Sequence, residues 1–120
     1  MSFMKIDERT FKFSLLIITV YKFLTKNKEF VLSKQLLRSG TSIGANVQEA
    51  QAAQSRKDFL SKMSIASKEA RECSYWIGLL LKSHYLSEFD QKEELKKEMT
   101  NIKNILTSIV KSTKKNETKK

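Results

Sequence analysis

The sequence contains no proline, three glycines, and one residue each of cysteine and histidine. Because no proline kinks or ends a helix, long uninterrupted helices are favoured. The single cysteine, Cys73, cannot form an internal disulfide, which agrees with a reducing compartment. One cysteine and one histidine, His84, are too few ligands for the common zinc sites.

Long apolar runs are also absent. The longest, LLIITV at residues 15–20, falls far short of the roughly 20 residues that a membrane span requires. The first residues, MSFMKIDERT, include Asp7 and Glu8 and show no small-residue cleavage site, so they do not resemble a secretory signal. We therefore expect a cytoplasmic protein that does not enter a membrane.

No group of residues suggests a reaction. Cys73 and His84 are 11 residues apart, about three helical turns, so they do not form an adjacent nucleophile and base. Glu69 and Glu72 resemble a carboxylate pair, but a di-metal bundle needs matching Glu-x-x-His motifs on other helices, and the sequence has none. We therefore predict a non-enzymatic protein without a metal or cofactor.

Acidic residues are scarce relative to basic ones, and the formal net charge is +10. The last ten residues, KSTKKNETKK, carry +4 of this charge, so the first 110 residues carry +6. Most of the excess therefore belongs to the folded part of the chain. A basic balance of this kind favours polyanionic partners, nucleic acid first, although charge alone supports only nonspecific attraction.

Apolar residues recur with helical spacing in four segments, at residues 13–24, 32–50, 59–84 and 95–109. The third stripe is continuous and includes Cys73 and His84, which we interpret as a core cysteine and a histidine at the end of a bundle. Two capping patterns, Ser55 with Asp58 and Ser87 with Asp90, place the starts of the third and fourth helices there.

Four helices with short polar connections predict an all-α fold, an up-down-up-down antiparallel four-helix bundle. We expect this bundle to span residues 1–111. The lysine-rich remainder, residues 112–120, is predicted to be a basic, disordered tail.

The segment LLRSGTSIGANVQEAQ, residues 36–51, contains two of the three glycines and admits three interpretations. A phosphate-binding loop requires a preceding strand and a Gly-Lys-Ser or Gly-Lys-Thr ending, and both are missing. A helix-turn-helix would place a turn at residues 39–41, but no capping box follows. The favoured interpretation is one continuous helix in which Gly40 and Gly44 let a neighbouring helix approach closely, which offsets their low helix propensity.

Two motifs in the sequence resemble a known family. They are RSGTSIGANVQE at residues 38–49 and IASKEARECSYW at residues 65–76, with DFL at 58–60 between them. Together they resemble bacterial four-helix-bundle proteins encoded in intervening sequences of 23S ribosomal RNA genes, and are similar to the accessory protein of diversity-generating retroelements. The resemblance implies a homopentameric ring with a basic surface, nucleic-acid binding and, in the retroelement branch, a reverse-transcriptase partner.

Charged residues of the third predicted helix are sorted onto two faces. One face has four cations and no acid, which we interpret as a phosphate-contacting strip, although a solvated helix face has the same composition. The other face combines apolar and acidic side chains, which is typical of a subunit interface or of packing against another helix. The predicted nucleic-acid-binding residues are Lys57, Lys68, Arg71 and Lys82, and the predicted interface residues are Ile65, Glu69, Glu72 and Trp76.

These patterns predict an oligomeric, non-enzymatic bundle that binds RNA or DNA through phosphate contacts with low sequence specificity. The family resemblance implies that it acts as an accessory to a reverse transcriptase or another nucleic-acid-processing enzyme. The alternative is a protein-protein interaction scaffold that does not bind nucleic acid, in which the lysines serve only solubility.

Overall fold

The computed structural model describes residues 4–118 and consists of four α-helices. They are α1 (Ile6–Lys26), α2 (Leu32–Gln51), α3 (Arg56–Lys82) and α4 (Lys92–Thr118). No strand occurs among the described residues, which confirms the predicted all-α class. Within the same residues, no helix has both the length and the apolarity needed to cross a bilayer.

The turn between α1 and α2 is organised by the buried carboxylate of Glu29. Its two oxygens accept hydrogen bonds from the backbone N–H groups of Val31, Leu32 and Ser33, at 3.3, 3.0 and 2.6 Å. The Ser33 hydroxyl donates back to the Glu29 carbonyl at 2.8 Å. The first N–H groups of a helix have no intrahelical partner, so this carboxylate satisfies them and places a negative charge at the positive end of α2.

The predicted start of α3 is confirmed, and the predicted start of α4 is wrong. The Ser55 hydroxyl accepts a hydrogen bond from the Asp58 N–H at 3.0 Å and caps α3. By contrast, α4 begins at Lys92, because the residues around Ser87 form turns. These turns are held by burial of Leu86 and Phe89, and the Phe89 ring packs 5.2 Å from that of Phe23.

His84 lies in this connection and not on the apolar stripe of α3, which corrects the predicted assignment. The helix ends at Lys82, His84 has a positive φ of 70°, and its side chain is exposed. Cys73 is fully buried, as predicted. Burial raises the pKa of the Cys73 thiol to about 12, so the thiol stays protonated and is a poor nucleophile in the folded protein.

The end of α4 also differs from the prediction. The helix does not stop at residue 111 but continues to Thr118, so the described part of the predicted tail is helical rather than disordered. Thr113 and Asn116 line a cleft with Ser55 of the turn between α2 and α3 and with Phe59 of α3. The last two residues of the predicted tail lie outside the described residues.

The apolar stripes meet in one core. Phe13, Ile17, Val20 and Leu24 of α1 are all buried, and Leu36, Ile43 and Val47 of α2 face them. Helices α1 and α2 are antiparallel, because Gly40 of α2 lies against Ile17 of α1 whereas the later Gly44 lies against the earlier Thr10. Helices α3 and α4 are also antiparallel. Ser74 of α3 contacts Lys103 of α4, whereas Ser64, which is earlier in α3, shares a cleft with Lys111, which is later in α4.

Helix α2 runs unbroken through Gly40 and Gly44, so the helix-turn-helix alternative is wrong. A Cβ atom at Gly40 would lie 2.7 Å from Ile17 Cγ1 and 2.8 Å from Ile17 Cγ2, inside van der Waals contact. At Gly44 it would lie 3.2 Å from both the Thr10 carbonyl oxygen and the Ser14 hydroxyl. The missing side chains therefore allow α1 and α2 to approach closely, whereas a Cβ at Gly78 of α3 would meet nothing within 4 Å.

Candidate nucleic-acid interface

The four cations predicted to contact nucleic acid all lie on α3 with exposed side chains. Lys68, Arg71 and Lys82 follow one another at helical spacing on the side of α3 that faces away from the core, and Lys57 lies on the same side in the first turn. We refer to these four residues as the basic strip. Its length, from Lys57 to Lys82, is about 38 Å at 1.5 Å per residue.

The basic strip borders a cleft between α3 and α4. Arg71 lies in this cleft opposite Lys111 and Lys114, and the cleft volume is about 220 Å³. Its remaining lining is short and mostly hydroxylated: Ser64, Ser67, Thr107 and Val110. Three cations beside hydroxyl donors form a surface suited to phosphate oxygens, which accept hydrogen bonds and carry negative charge.

The lysines of α4 extend this cationic surface, and the sequence analysis did not assign them to it. Residues 99–116 contain four lysines and no acidic residue. Lys103, Lys111 and Lys114 lie on the side of α4 that faces α3, and Lys103 Nζ is 3.5 Å from the Ser74 hydroxyl. The signal in the sequence is the helical spacing of these lysines in an acid-free segment, which was instead divided between a bundle helix and a disordered tail.

The face of α3 next to the basic strip carries the predicted interface residues, and the structure joins two of them to α2. Arg38 Nη1 donates a hydrogen bond to Glu69 Oε1 at 3.2 Å, and Arg38 Nη2 donates to Glu72 Oε2. The Trp76 indole N–H also donates to Glu72 Oε2, at 2.9 Å. Arg38 first, and Trp76 second, lower the pKa of the Glu72 carboxyl, so this network stays ionised at neutral pH.

In this network, the two acidic residues of the predicted interface are paired within their own chain. The carboxylates of Glu69 and Glu72 already have a cationic partner in their own chain, so they do not require a basic neighbouring subunit. Trp76 is half-buried and packs against the core, whereas Ile65 on the same face is 40% exposed. Of the four predicted interface residues, Ile65 is the one whose apolar surface is left open to another molecule.

A second exposed apolar surface lies on α1 and was not predicted. Phe11, Leu15 and Ile18 are 61%, 52% and 36% exposed and follow one another at steps of four and three residues. These three residues, here called the α1 stripe, point away from the core that Phe13 and Ile17 enter. The sequence signal is present in FKFSLLII, where apolar residues occupy both faces of one helix, but only the buried face was interpreted.

A surface groove between α1 and α4 is bridged by an ion pair. Arg9 Nε is 2.7 Å from Glu98 Oε2 and Arg9 Nη2 is 3.0 Å from Glu98 Oε1, a bidentate arrangement that ties the two helices together. Glu94 lines the same groove, so its charge is mixed rather than cationic. Within residues 4–118 no group of three His, Cys, Asp or Glu side chains is placed to hold a metal ion.

Comparison with known proteins agrees with this architecture. The family model described as 23S rRNA-intervening sequence protein matches residues 4–108. A crystal structure from Bacteroides thetaiotaomicron is similar, with 47% sequence identity, a TM-score of 0.83, and coverage of 89% of this chain and 99% of that chain. That protein is described as one of unknown function from the S23 ribosomal protein family. No curated protein matches the sequence.

Proposed function

The chain belongs to the 23S rRNA-intervening sequence protein family, and from this premise we propose that it binds RNA or DNA. The proposed surface consists of the basic strip of α3 together with Lys103, Lys111 and Lys114 of α4. In this proposal the protein acts by binding and positioning a nucleic acid. The proposed contacts are made to phosphates, so the sequence of the nucleic acid has little influence on affinity.

The observation that supports this proposal is the grouping of charge across two helices. A solvated helix normally mixes acids with bases, whereas the acids of α3 lie on a neighbouring face, about a quarter turn from the basic strip, where Glu69 and Glu72 are held by Arg38. In α4, residues 99–116 contain no acid, and Glu93 in the first turn of the helix pairs with Lys96 at 3.6 Å. The residues that line the cleft around Arg71 therefore include three cations and no acid.

The proposal is tested by titrating the full chain into a fluorescently labelled, mixed-sequence oligonucleotide at several salt concentrations. Affinity should fall linearly on a log-log plot, with a slope of about −0.7 for each phosphate contact on a single strand and −0.9 on a duplex. The absence of binding at low salt would contradict the proposal and favour the alternative, a protein-protein interaction scaffold.

We also propose that the chain associates with further copies of itself through the α1 stripe and the face around Ile65. Two apolar surfaces on different helices suit a heterologous contact, in which one face of a subunit meets the other face of the next and the chain of contacts closes into a ring. The number of subunits, five by family resemblance, and a reverse-transcriptase partner stay predictions from that resemblance. A cytoplasmic location also stays a prediction.

Self-association predicts that a charge in either apolar surface disrupts the assembly. Leu15→Lys and Ile65→Lys should each lower the molar mass measured by analytical ultracentrifugation, because an unpaired ammonium group would be buried in the contact. Gln54→Lys, which adds the same charge to an exposed site in the turn between α2 and α3, serves as the control and should leave the mass unchanged. A wild-type protein that sediments as a monomer at all concentrations would contradict the proposal.

A further inference from the structure

One aromatic side chain, Tyr75, lies among the cations of the basic strip and is 61% exposed. It follows Arg71 by four residues and precedes Lys82 by seven, so it lies between these two cations on the same side of α3. Its ring and that of the neighbouring Trp76 pack in a T-shaped arrangement, with centroids 5.2 Å apart and an interplanar angle of 69°. Trp76 is itself held by Glu72, so the tyrosine is supported from one side.

The surface next to Tyr75 is open in the direction of Lys82. Gly78 lies one helical turn beyond Tyr75, and a Cβ atom there would meet no heavy atom within 4 Å. Residues three apart are neighbours on a helix surface, so the glycine leaves space beside the tyrosine ring that most side chains would fill. No packing requirement explains this glycine, because its Cβ position faces open space, unlike those of Gly40 and Gly44.

An exposed aromatic ring flanked by cations is the arrangement by which proteins bind unpaired bases. The cations follow the phosphates, and the ring stacks on a base, which is possible because every base has a π face. In a duplex the bases are already stacked on one another, so a ring on a protein surface finds no free face. A tyrosine that stacks in this way favours single strands over duplexes, which cations alone do not.

We infer that the basic strip is a binding site for single-stranded nucleic acid, with Tyr75 as its base-stacking residue. This inference rests on the proposed function and adds the class of nucleic acid to it. Phosphates contact Arg71 and Lys82 on either side, and one base occupies the space above Gly78 against the tyrosine ring. Stacking is tolerant of base identity, so the site requires an unpaired base rather than a particular sequence.

The test compares wild type and Tyr75→Ala for binding to a labelled single strand and to the same strand annealed to its complement. Tyr75→Ala should weaken binding to the single strand by about 5- to 150-fold, the equivalent of about 1–3 kcal/mol of stacking, and should change duplex binding less than about twofold. Tyr75→Phe should retain most of the affinity. Tyr85→Ala, which removes another exposed tyrosine from the turn after α3, should have no effect.

The salt dependence of affinity separates the contribution of base stacking from that of the phosphate contacts. Tyr75→Ala removes no phosphate contact, so its log-log salt slope should equal that of wild type, whereas Arg71→Gln should reduce the slope by about 0.7 on a single strand. If Tyr75→Ala leaves single-strand binding unchanged, or weakens single strand and duplex equally, the inference is wrong while the proposed function stands. If wild type binds neither strand form at low salt, both are wrong.

Discussion

Gly40→Ala should destabilise the protein by about 1–3 kcal/mol, although alanine is the better helix former. The new methyl group would lie within 3.0 Å of three side-chain atoms of Ile17, which is fully buried and branched at Cβ. Neither helix can relieve this overlap without moving the contact between α1 and α2. Urea unfolding followed by circular dichroism should show a lower midpoint with an unchanged slope.

Gly78→Ala is the matched control, since it makes the same substitution in the interior of another helix. Nothing opposes the added methyl group there, so we expect the propensity gain of alanine to appear in full, about 0.5–1 kcal/mol of added stability. Gly44→Ala should fall between the two, because its contacts at 3.2 Å are tight but not overlapping. If Gly40→Ala is as stable as Gly78→Ala, the close-packing explanation is wrong.

A double-mutant cycle identifies the contact responsible. Ile17→Ala alone removes a buried side chain and should cost about 2–5 kcal/mol. In the Ile17→Ala, Gly40→Ala double variant the overlap no longer exists, so the second substitution should be neutral or stabilising rather than destabilising. Simple additivity of the two changes would mean that Gly40 is required for a reason other than its contact with Ile17.

Reversing two charges in the cleft should abolish most nucleic-acid binding. Arg71→Glu with Lys111→Glu removes two proposed phosphate contacts and adds two repulsive charges, so affinity for a single strand should fall roughly 100-fold and the salt slope by about 1.4. Both side chains are exposed, so the helical circular dichroism signal should be retained. One residue is taken from α3 and one from α4, so the variant tests the surface that the two helices form together.

The control changes net charge by the same amount elsewhere. Lys22→Glu with Lys34→Glu alters exposed residues of α1 and α2, and should lower affinity only through the general loss of positive charge. Equal losses from the two double variants would show that binding depends on net charge and not on the cleft. Removal of residues 115–120, which lie beyond Lys114, should leave most of the affinity, because the proposed contacts remain.

The candidate site was only half predictable from the sequence. Helical spacing was enough to group Lys68, Arg71 and Lys82 on one face of α3, since neighbours on one helix follow from the 3.6-residue period. The same spacing does not reveal which residues of another helix lie beside them. That depends on the rotation and offset of α4 against α3, so Lys111 and Lys114 were assigned to a helix end and a tail instead of to the cleft.

Two predictions from local sequence patterns, the start and the end of α4, differ from the structure because tertiary packing outweighed local propensity. Ser87 and Asp90 have the spacing of a capping pair. However, burial of Leu86 and Phe89 holds that segment in turns, so α4 begins at Lys92. The lysine-rich composition after residue 111 indicated disorder, yet the helix continues to Thr118 alongside the turn between α2 and α3. In both places the burial of a few apolar side chains or the continuation of an existing helix outweighs local propensity.

The sequence by itself determined the helical class, the number of helices, the buried stripes and the α3 cap at Ser55, because each depends on residues close together in the chain. Tertiary structure alone decided that Ile17 fills the space left by Gly40, that Arg38 holds Glu69 and Glu72, and that Arg71 faces Lys111 across a cleft. The physical reason is that periodicity specifies which side of a helix is apolar, whereas the partner it meets depends on how closely and at what offset two helices pack.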